Sequence, residues 1–250
     1  LDTFVQDLQR CRPTVFISVP RLWLKFQLGV FANMPEKKLN FLLKIPVLSG
    51  VVKKKILTKL GLDTVRLAGS GSAPIPAELI AWYRKLGLNI VEGYAMSEDF
   101  AYSHLSTEEF NEPGYVGVPY KGVKVKISDS GEILIDSAGK MLGYYKEEAM
   151  TKESFTEDGY FKTGDRGERK SNGLLKITGR VKEIFKTSKG KYISPAPIEN
   201  LINNDSHVEL SCVSGLGMPQ PYAQIVVAED LRGKLGDDAV RSKVDAALHS

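Results

Sequence analysis

The alternation of apolar and polar residues predicts a mixture of helices and strands over the first sixty positions. Apolar residues recur at helical spacing over residues 1–11 and indicate an amphipathic helix. The run Thr14–Ser18 is typical of a buried strand. Residues 20–60 predict further helices. Pro35 and Pro46 interrupt these helices, because proline cannot donate the backbone hydrogen bond of a helix interior.

A strand, a helix and a second strand are predicted next. Thr64–Ala68 and Leu88–Val91 indicate strands. Between them, the small-residue loop Gly69–Pro74 precedes a helix that begins near Pro76 and ends at Gly87. Two strands joined in this way are parallel, and open α/β sheets bind ligands at the carboxyl ends of such strands. We therefore expect the loops that follow both strands to lie at one ligand-binding edge.

Beyond about residue 113 the pattern indicates antiparallel strands. Apolar and polar residues alternate over 123–127 and again over 133–135, on either side of the turn Asp129–Gly131. Another strand is predicted near Leu174–Thr178. We interpret this stretch as an antiparallel β-barrel-like subdomain.

The last part of the chain carries a second α+β pattern. Helices are predicted after Ser194 and near Asp237, and strands near 183–187, 208–214 and 223–229. The predicted fold class is therefore a multidomain α/β and α+β protein. A partial α/β sheet layer with a βαβ unit occupies residues 1–112, the barrel-like subdomain 113–179, and a small truncated α+β domain 183–250.

Composition narrows the class of protein. Hydrophobic residues make up 42% of the 250 residues and the net charge is +4, which suits a globular protein and excludes disordered and collagen-like chains. No apolar run reaches the roughly 20 residues of a membrane span. Two distant cysteines and three histidines have no zinc-site spacing. Cytoplasmic localisation is expected.

A short basic run, Lys53–Lys55, lies in the predicted helical region. A solvated helix face is the favoured interpretation, and peripheral membrane contact is the alternative. Nucleic-acid binding is not expected, because the run has no aromatic residues to stack on bases and charge elsewhere is nearly balanced.

The loop Gly69–Pro74 is the first candidate for chemistry. It lacks the third glycine of a dinucleotide fingerprint and the Gly-Lys-Ser/Thr of a phosphate-binding P-loop. Its small residues allow a flat ligand to approach the backbone closely. The alternative is a tight strand-to-helix turn without function.

An aromatic ring, a hydroxyl and a carboxylate follow the second predicted strand, at Tyr94, Ser97 and Glu98. A ring can stack on a base, a hydroxyl can contact phosphate, and a carboxylate can bind Mg²⁺. The alternative is that Tyr94 packs in the core and Ser97 caps a helix.

Two further candidates are charged. In Thr163-Gly164-Asp165 a carboxylate stands next to a glycine and could bind a ribose diol, and Arg180 could reach ribose or phosphate. The alternatives are a plain turn and a surface ion-pair network.

The order and spacing of four sequence blocks are more specific than any single candidate. The sequence resembles the adenylate-forming superfamily of acyl-CoA synthetases, luciferases and peptide-synthetase adenylation domains. It is most similar there to the long-chain acyl-CoA synthetases, to which Gly143-Tyr144-Tyr145-Lys146 also fits. The blocks are Gly69–Pro74, Glu92–Glu98, Gly159–Glu168 and Gly179–Glu199.

The resemblance implies a role for each matching residue. Tyr94 would stack on adenine, Ser97 would contact the α-phosphate, and Glu98 would bind Mg²⁺. Ser97 and Glu98 would also be the catalytic residues. Asp165 would hold the ribose hydroxyls, with Arg180 assisting. The remaining implied nucleotide-binding residues are Gly71, Ser72, Ala73, Glu92 and Gly93.

The resemblance also implies a hinge at residues 180–182, centred on Lys182, and a CoA tunnel lined by Gly190. One departure is Ala95, which stands where the family usually has glycine. The family's phosphate loop and C-terminal catalytic lysine have no counterparts here, so we expect a fragment that is inactive alone.

The implied parent enzyme is an AMP-forming ligase that uses ATP, Mg²⁺ and CoA. It would activate a fatty acid, by the resemblance a long-chain one, as an acyl-adenylate and transfer it to CoA. A different acceptor, as in peptide synthetases or luciferases, and a non-catalytic nucleotide-binding protein stay open as alternatives.

Overall fold

A computed structural model of the protein describes residues 3–107, 109–203, 205, 207–228 and 242. The helix predicted near Asp237 lies outside these residues. The helices are α1 (Phe4–Cys11), α2 (Pro20–Asn33), α3 (Glu36–Lys44), α4 (Pro46–Leu60), α5 (Ala77–Leu86), α6 (Glu148–Glu153) and α7 (Pro195–Ile202). The strands are β1 (Val15–Ser18), β2 (Leu67–Ser70), β3 (Ile90–Tyr94), β4 (His104–Leu105), β5 (Val118–Pro119), β6 (Lys124–Ile127), β7 (Glu132–Asp136), β8 (Phe161–Arg169), β9 (Leu175–Arg180), β10 (Phe185–Lys186), β11 (Tyr192–Ile193), β12 (Val208–Ser214) and β13 (Tyr222–Val227).

Two compact units make up the fold, and each is described by itself. The first comprises the described residues of Leu1–Val123, Ser137–Met141 and Ser171–Leu175. The second comprises those of Lys124–Asp136, Leu142–Lys170 and Lys176–Ser250. The domain boundaries and the hinge inferred from the sequence stay predictions.

The first unit is built on a five-stranded sheet in the order β1-β2-β3-β4-β5. The first three strands are parallel, and β4 and β5 run antiparallel to their neighbours. Helix α5 joins β2 to β3, which confirms the predicted βαβ unit. It begins after Pro76 and ends at Gly87, whose positive φ of 92° closes the last turn.

Strands β2 and β3 reach further along the chain than the sequence predicted. Gly69 and Ser70, predicted to lie in a loop, belong to β2, and β3 continues to Tyr94. Strand β2 lies between β1 and β3, so neighbours on both sides satisfy its backbone hydrogen bonds. This pairing outweighs the low strand propensity of glycine and serine.

Two aromatic residues join the helices to the sheet. Trp23 and Tyr83 are fully buried, and their rings meet edge to face with centroids 5.0 Å apart. The Tyr83 hydroxyl donates to the Trp23 carbonyl at 2.7 Å, and the Trp23 indole N–H donates to the Gly69 carbonyl at 3.2 Å. Helix α2 is thereby hydrogen-bonded to β2 immediately before the candidate ligand loop.

Strand β1 forms one edge of this sheet and leaves apolar side chains exposed. Val15 and Ile17 are 55% and 67% exposed, and Leu67 on β2 is 41% exposed. The alternate residue Phe16 faces the core, where its ring meets Trp23 with centroids 5.2 Å apart. Only one face of β1 is therefore covered by described residues.

The second unit contains a four-stranded sheet in the order β6-β7-β8-β9. The predicted hairpin of β6 and β7 is confirmed, and Ile133 and Ile135 are fully buried. Strands β6 and β9 are its edges, so this sheet is open, and none of the sheets formed by the described residues closes into a barrel. Strand β8 was not predicted, although it contains the Thr163-Gly164-Asp165 candidate.

The rest of the second unit consists of two hairpins and a helix. β10 pairs with β11 and β12 pairs with β13, both antiparallel. β10, β12 and β13 confirm the strands predicted near 183–187, 208–214 and 223–229, whereas β11 was not predicted. Helix α7 follows Ser194 as predicted. Ile202, Val208 and Val213 form its small buried cluster.

Candidate functional site

The carboxyl ends of β2 and β3 open onto a cavity of about 520 Å³ in the first unit. Its small and hydroxyl-bearing lining residues are Gly69, Ser70, Gly71, Ser72, Gly93, Ala95, Ser97 and Ala101. Its apolar and ring-bearing lining residues are Ile17, Leu67, Val91, Tyr94, Met96, His104, Leu105 and Tyr120. Flat ligands suit such a site, because aromatic and apolar surfaces surround a floor with little side-chain bulk.

The structure brings five of the predicted nucleotide-binding residues to this cavity: Gly71, Ser72, Gly93, Tyr94 and Ser97. The side chains of Ala73, Glu92 and Glu98 are not part of its wall. The sequence alone did not indicate His104 and Tyr120. His104 reaches the wall because β4 pairs with β3, which places its ring 5.9 Å from that of Tyr94.

The backbone of the cavity wall adopts an uncommon conformation at two places. Ser72 has a φ of 68° and Ala101 a φ of 55°, both in the left-handed region that side chains other than glycine rarely occupy. A residue other than glycine in this conformation lowers the stability of the fold, and such residues are concentrated at ligand sites. The conformation agrees with a binding role for the loop that contains Ser72.

Glu92 lies behind the cavity rather than in it. Its side chain is 3% exposed, and it accepts hydrogen bonds from the backbone N–H groups of Ile75 and Gly114. Burial raises the pKa of the Glu92 carboxyl to about 7, against the opposing effects of these hydrogen bonds and of Arg84. Glu92 therefore positions the loops that contain Ile75 and Gly114, and Ile75 directly follows the ligand loop Gly69–Pro74.

A second buried carboxyl supports the turn that carries Ser97 and Glu98. Asp99 is fully buried, and its Oδ1 accepts the Met96 backbone N–H at 3.1 Å. Burial also raises the pKa of Asp99. Ser97 is the first residue of a short 3-10 turn whose N-cap position is Met96, so Ser97 does not cap this turn.

Glu98 is half-buried, and its backbone carbonyl accepts the Met141 N–H at 2.7 Å. No group of three or more His, Cys, Asp or Glu side chains within the described ranges could hold a metal ion. A single carboxylate is nevertheless consistent with Mg²⁺, which proteins usually bind through one or two carboxylates together with substrate phosphates.

In the second unit, Asp165 lies in a bulge of β8. Strand β7 pairs Leu134 with Lys162 and Glu132 with Arg166, so two extra residues of β8 are accommodated between these pairs. The Thr163 hydroxyl donates to the Ile133 carbonyl at 2.8 Å, and the Asp165 N–H donates back to that hydroxyl at 3.1 Å. A bulge changes the direction of a side chain, and here it fixes the carboxylate at the end of the Thr-Gly-Asp motif.

Arg180 pairs with this carboxylate. Its Nε lies 3.1 Å from the Asp165 Oδ1, and the Arg180 side chain is 58% exposed whereas that of Asp165 is 15% exposed. Gly164 between Thr163 and Asp165 has a φ of 73°, and its N–H donates to the Glu132 Oε1 at 2.9 Å. The predicted ribose-binding pair is thus brought together on neighbouring strands.

Lys182 and Gly190 also belong to the second unit. Lys182 is exposed on a short 3-10 turn after β9. Gly190 is exposed in the turn between β10 and β11 with a φ of 81°, and its N–H donates to the Thr187 carbonyl at 2.9 Å. Both positions are accessible to solvent.

Residues 1–145 match the model of the family described as AMP-binding enzyme. The chain belongs to this AMP-binding enzyme family. Its Tyr94–Glu98 turn and small-residue loop lie within the matched residues, whereas Asp165, Arg180, Lys182 and Gly190 lie beyond them.

Similar proteins agree with membership in the AMP-binding enzyme family. The chain is 38% identical to long-chain-fatty-acid–CoA ligase FadD15 of Mycobacterium bovis, over 75% of this chain and 30% of that protein. It is 31% identical to long-chain-fatty-acid–CoA ligase 1 of Cavia porcellus, over 90% and 36% of the two chains. The crystal structure of ATP-bound MatB from Rhodopseudomonas palustris is 27% identical with a TM-score of 0.68, over 98% and 46% of the two chains. This chain thus spans about a third of the length of the curated relatives it matches.

Proposed function

We propose that the chain is part of an AMP-forming ligase that activates a long-chain fatty acid and transfers it to CoA. The observation that carries the proposal is the cavity at the ends of β2 and β3, lined by Gly71, Ser72, Tyr94 and Ser97 in a member of the AMP-binding enzyme family. The curated relatives are named as CoA ligases, which favours CoA over another acceptor.

The proposed reaction has two steps. An oxygen of the fatty-acid carboxylate attacks the α-phosphorus of ATP, the bond to pyrophosphate breaks, and acyl-AMP forms. The CoA thiolate then attacks the acyl carbon, a thioester forms, and AMP leaves with the bonding electron pair. Covalent activation of this kind divides one difficult acyl transfer into two easier ones.

The residues of the first unit would bind and orient the nucleotide. Tyr94 would stack on adenine against the small-residue floor at Gly71 and Ser72, and the Ser97 hydroxyl would contact the α-phosphate. Glu98 would hold Mg²⁺, which supplies charge stabilisation on the phosphate oxygens when it is bound. Glu92 and Asp99 would keep the surrounding loops in position through the backbone hydrogen bonds that they accept.

The residues of the second unit would serve the nucleotide and the second step. The Asp165 carboxylate would accept hydrogen bonds from the ribose hydroxyls, with Arg180 holding that carboxylate in place. Their ion pair supports this role, because it orients a mostly buried carboxylate. Lys182 as a hinge and Gly190 in a CoA tunnel are proposals that rest on the resemblance.

The nucleotide assignment is tested by calorimetric titration of the 250-residue chain with AMP. Stacking of a base on an aromatic ring contributes about 1–3 kcal/mol, so Tyr94→Ala should weaken AMP binding by roughly fivefold to 100-fold. The exposed Tyr145 provides the matched control, and Tyr145→Ala should leave AMP binding unchanged. An unchanged affinity in Tyr94→Ala would contradict the stacking assignment.

The ribose assignment has its own variant. Asp165→Asn removes a charged hydrogen-bond acceptor, which should weaken AMP binding by roughly tenfold or more. Asp158→Asn removes an exposed acceptor that pairs with Lys126 and serves as the control. The reaction itself is assayed on the full-length gene product, by mass spectrometry of thioesters formed from CoA and a panel of fatty acids.

A further inference from the structure

Helices α3 and α4 concentrate the positive charge of the molecule. Together they form the lysine-rich hairpin, residues 36–60, in which seven lysines and one glutamate give a charge of +6. The whole chain carries +4, so all other residues together carry −2. The lysines are Lys37, Lys38, Lys44, Lys53, Lys54, Lys55 and Lys59, and within the described ranges none forms an ion pair.

The lysine-rich hairpin has one face in the core and one face in solvent. Its buried residues Leu39, Ile56 and Leu60 belong to the main core of the first unit. The opposite face exposes Val47 by 82% and Val51 by 63%. Large apolar side chains grouped on one exposed face are typical of an interaction surface.

Exposed lysines share that solvent face with the apolar side chains. Val47 and Val51 stand four residues apart on α4, and Lys54 and Lys55 follow on the next turn of the same face. On α3, Phe41 is 65% exposed at helical spacing from Lys38 and Lys44. The hairpin therefore presents apolar groups flanked by cations.

We propose that the lysine-rich hairpin binds the surface of an anionic lipid bilayer and lies in its interfacial plane. Amphipathic helices that bind in this way insert apolar side chains below the headgroups while lysines remain among the lipid phosphates. Among the described residues no helix combines the length and apolarity that crossing a bilayer requires. The hairpin would lie on the membrane without spanning it.

Other polyanions fit this surface less well. A nucleic acid would use the lysines, but the exposed Val47 and Val51 would gain nothing from contact with phosphates. The hairpin has no arginine, which interfaces with nucleic acids commonly use to read bases. A partner that is both anionic and apolar would contact the lysines and the aliphatic side chains together.

A bilayer surface would also suit the proposed substrate. Long-chain fatty acids partition into membranes, and in this respect the inference rests on the proposed function. Vesicle binding is measured without nucleotide or acyl substrate, however. A chain that binds AMP but not vesicles would contradict only the membrane proposal, and one that binds vesicles but not AMP would contradict only the nucleotide proposal.

The test is co-sedimentation of the 250-residue chain with vesicles made of equal parts phosphatidylcholine and phosphatidylserine. Vesicles of phosphatidylcholine alone are the lipid control. Each lysine near an anionic surface strengthens binding about fivefold, so Lys54→Gln with Lys55→Gln should weaken it by roughly 25-fold. Lys85→Gln with Lys152→Gln, at exposed sites outside the hairpin, removes the same charge and should have little effect.

A second variant tests the apolar contribution. Val47→Ser with Val51→Ser leaves the charge unchanged and should weaken vesicle binding by about tenfold, because each serine withdraws apolar surface from the interface. Circular dichroism checks that each variant is folded. Equal loss in both lysine variants, equal binding to both vesicle types, or tighter binding to duplex DNA than to anionic vesicles would overturn the proposal.

Discussion

Glu92 is 3% exposed, and its carboxyl accepts hydrogen bonds from two backbone N–H groups and is attracted by the charge of Arg84. The pKa of this carboxyl is about 7, against 4.5 for the unperturbed group. At pH values between 4.5 and about 7, the Glu92 carboxyl keeps its proton in the folded chain but loses it in the unfolded chain. The stability that this proton provides is fully present below pH 4.5 and is lost as the pH rises through about 7.

Glu92→Gln should remove this pH dependence. Glutamine resembles the protonated carboxyl and never ionises, so at pH about 8 the variant should exceed the parent by up to roughly 3 kcal/mol in unfolding free energy. The difference should shrink as the pH falls towards about 4. Urea unfolding at several pH values measures it. A difference that stays constant with pH, or one that the exposed Glu153→Gln control reproduces, would contradict the assignment.

At the scale of elements, proline and glycine positions predicted the helices well. Pro35 and Pro46 separate α2, α3 and α4, and Gly87 ends α5, because the backbone constraints of these residues are local. The strand ends were less predictable. β3 continues through Gly93 to Tyr94 because pairing with β2 and β4 supplies hydrogen bonds that local sequence does not reveal.

The residues of the candidate site also differ in how well the sequence predicted them. Gly71, Tyr94 and Ser97 lie next to strands with clear apolar patterns, so their place at one sheet edge could be predicted. His104 and Tyr120 could not, because β4 and β5 are two residues long and show no periodicity. Asp165 was found as a motif, but the bulge that directs it depends on the pairing of β7 with β8.

Strands β4 and β5 depend on the absence of a side chain at Gly117. Its φ is 83°, and a Cβ there would overlap the Leu105 carbonyl group. Gly117→Ala should therefore lower the unfolding free energy by at least about 3 kcal/mol. Gly122→Ala is the matched control, because Gly122 has a φ of 86° and open space around it.

Gly122→Ala should lower the unfolding free energy by only about 1 kcal/mol, which is the strain of alanine in a left-handed backbone conformation. Thermal unfolding followed by circular dichroism compares the two variants. Equal losses would mean that backbone strain, and not the contact with Leu105, decides the choice of glycine at residue 117.

At the scale of the whole molecule, β1 is an edge strand of its sheet. It has backbone groups without a neighbouring strand among the described residues, and it exposes the side chains of Val15 and Ile17. Edge strands with apolar faces tend to pair with other chains unless a charge blocks them. We expect the chain to self-associate as its concentration rises.

Val15→Lys should reduce this self-association. Val15 is exposed and does not line the cavity, so the unfolding temperature and the AMP affinity should change little. Sedimentation velocity over a range of concentrations measures the change. Lys121→Val changes an exposed charge away from β1 and should self-associate as strongly as the parent. A Val15→Lys variant that self-associates as strongly as the parent would exclude β1 as the contact.

The chain passes from one compact unit to the other five times, after residues 123, 136, 141, 170 and 175. Neither unit is therefore a single continuous piece of sequence. No single cut separates the two units. A cut after residue 123 divides the first unit, and a cut after residue 175 keeps the first unit whole but divides the second. For recombination between homologous genes, a crossover after residue 175 would keep the first unit whole and divide the second, whereas one placed at the domain boundary predicted near residue 112 would divide the first unit.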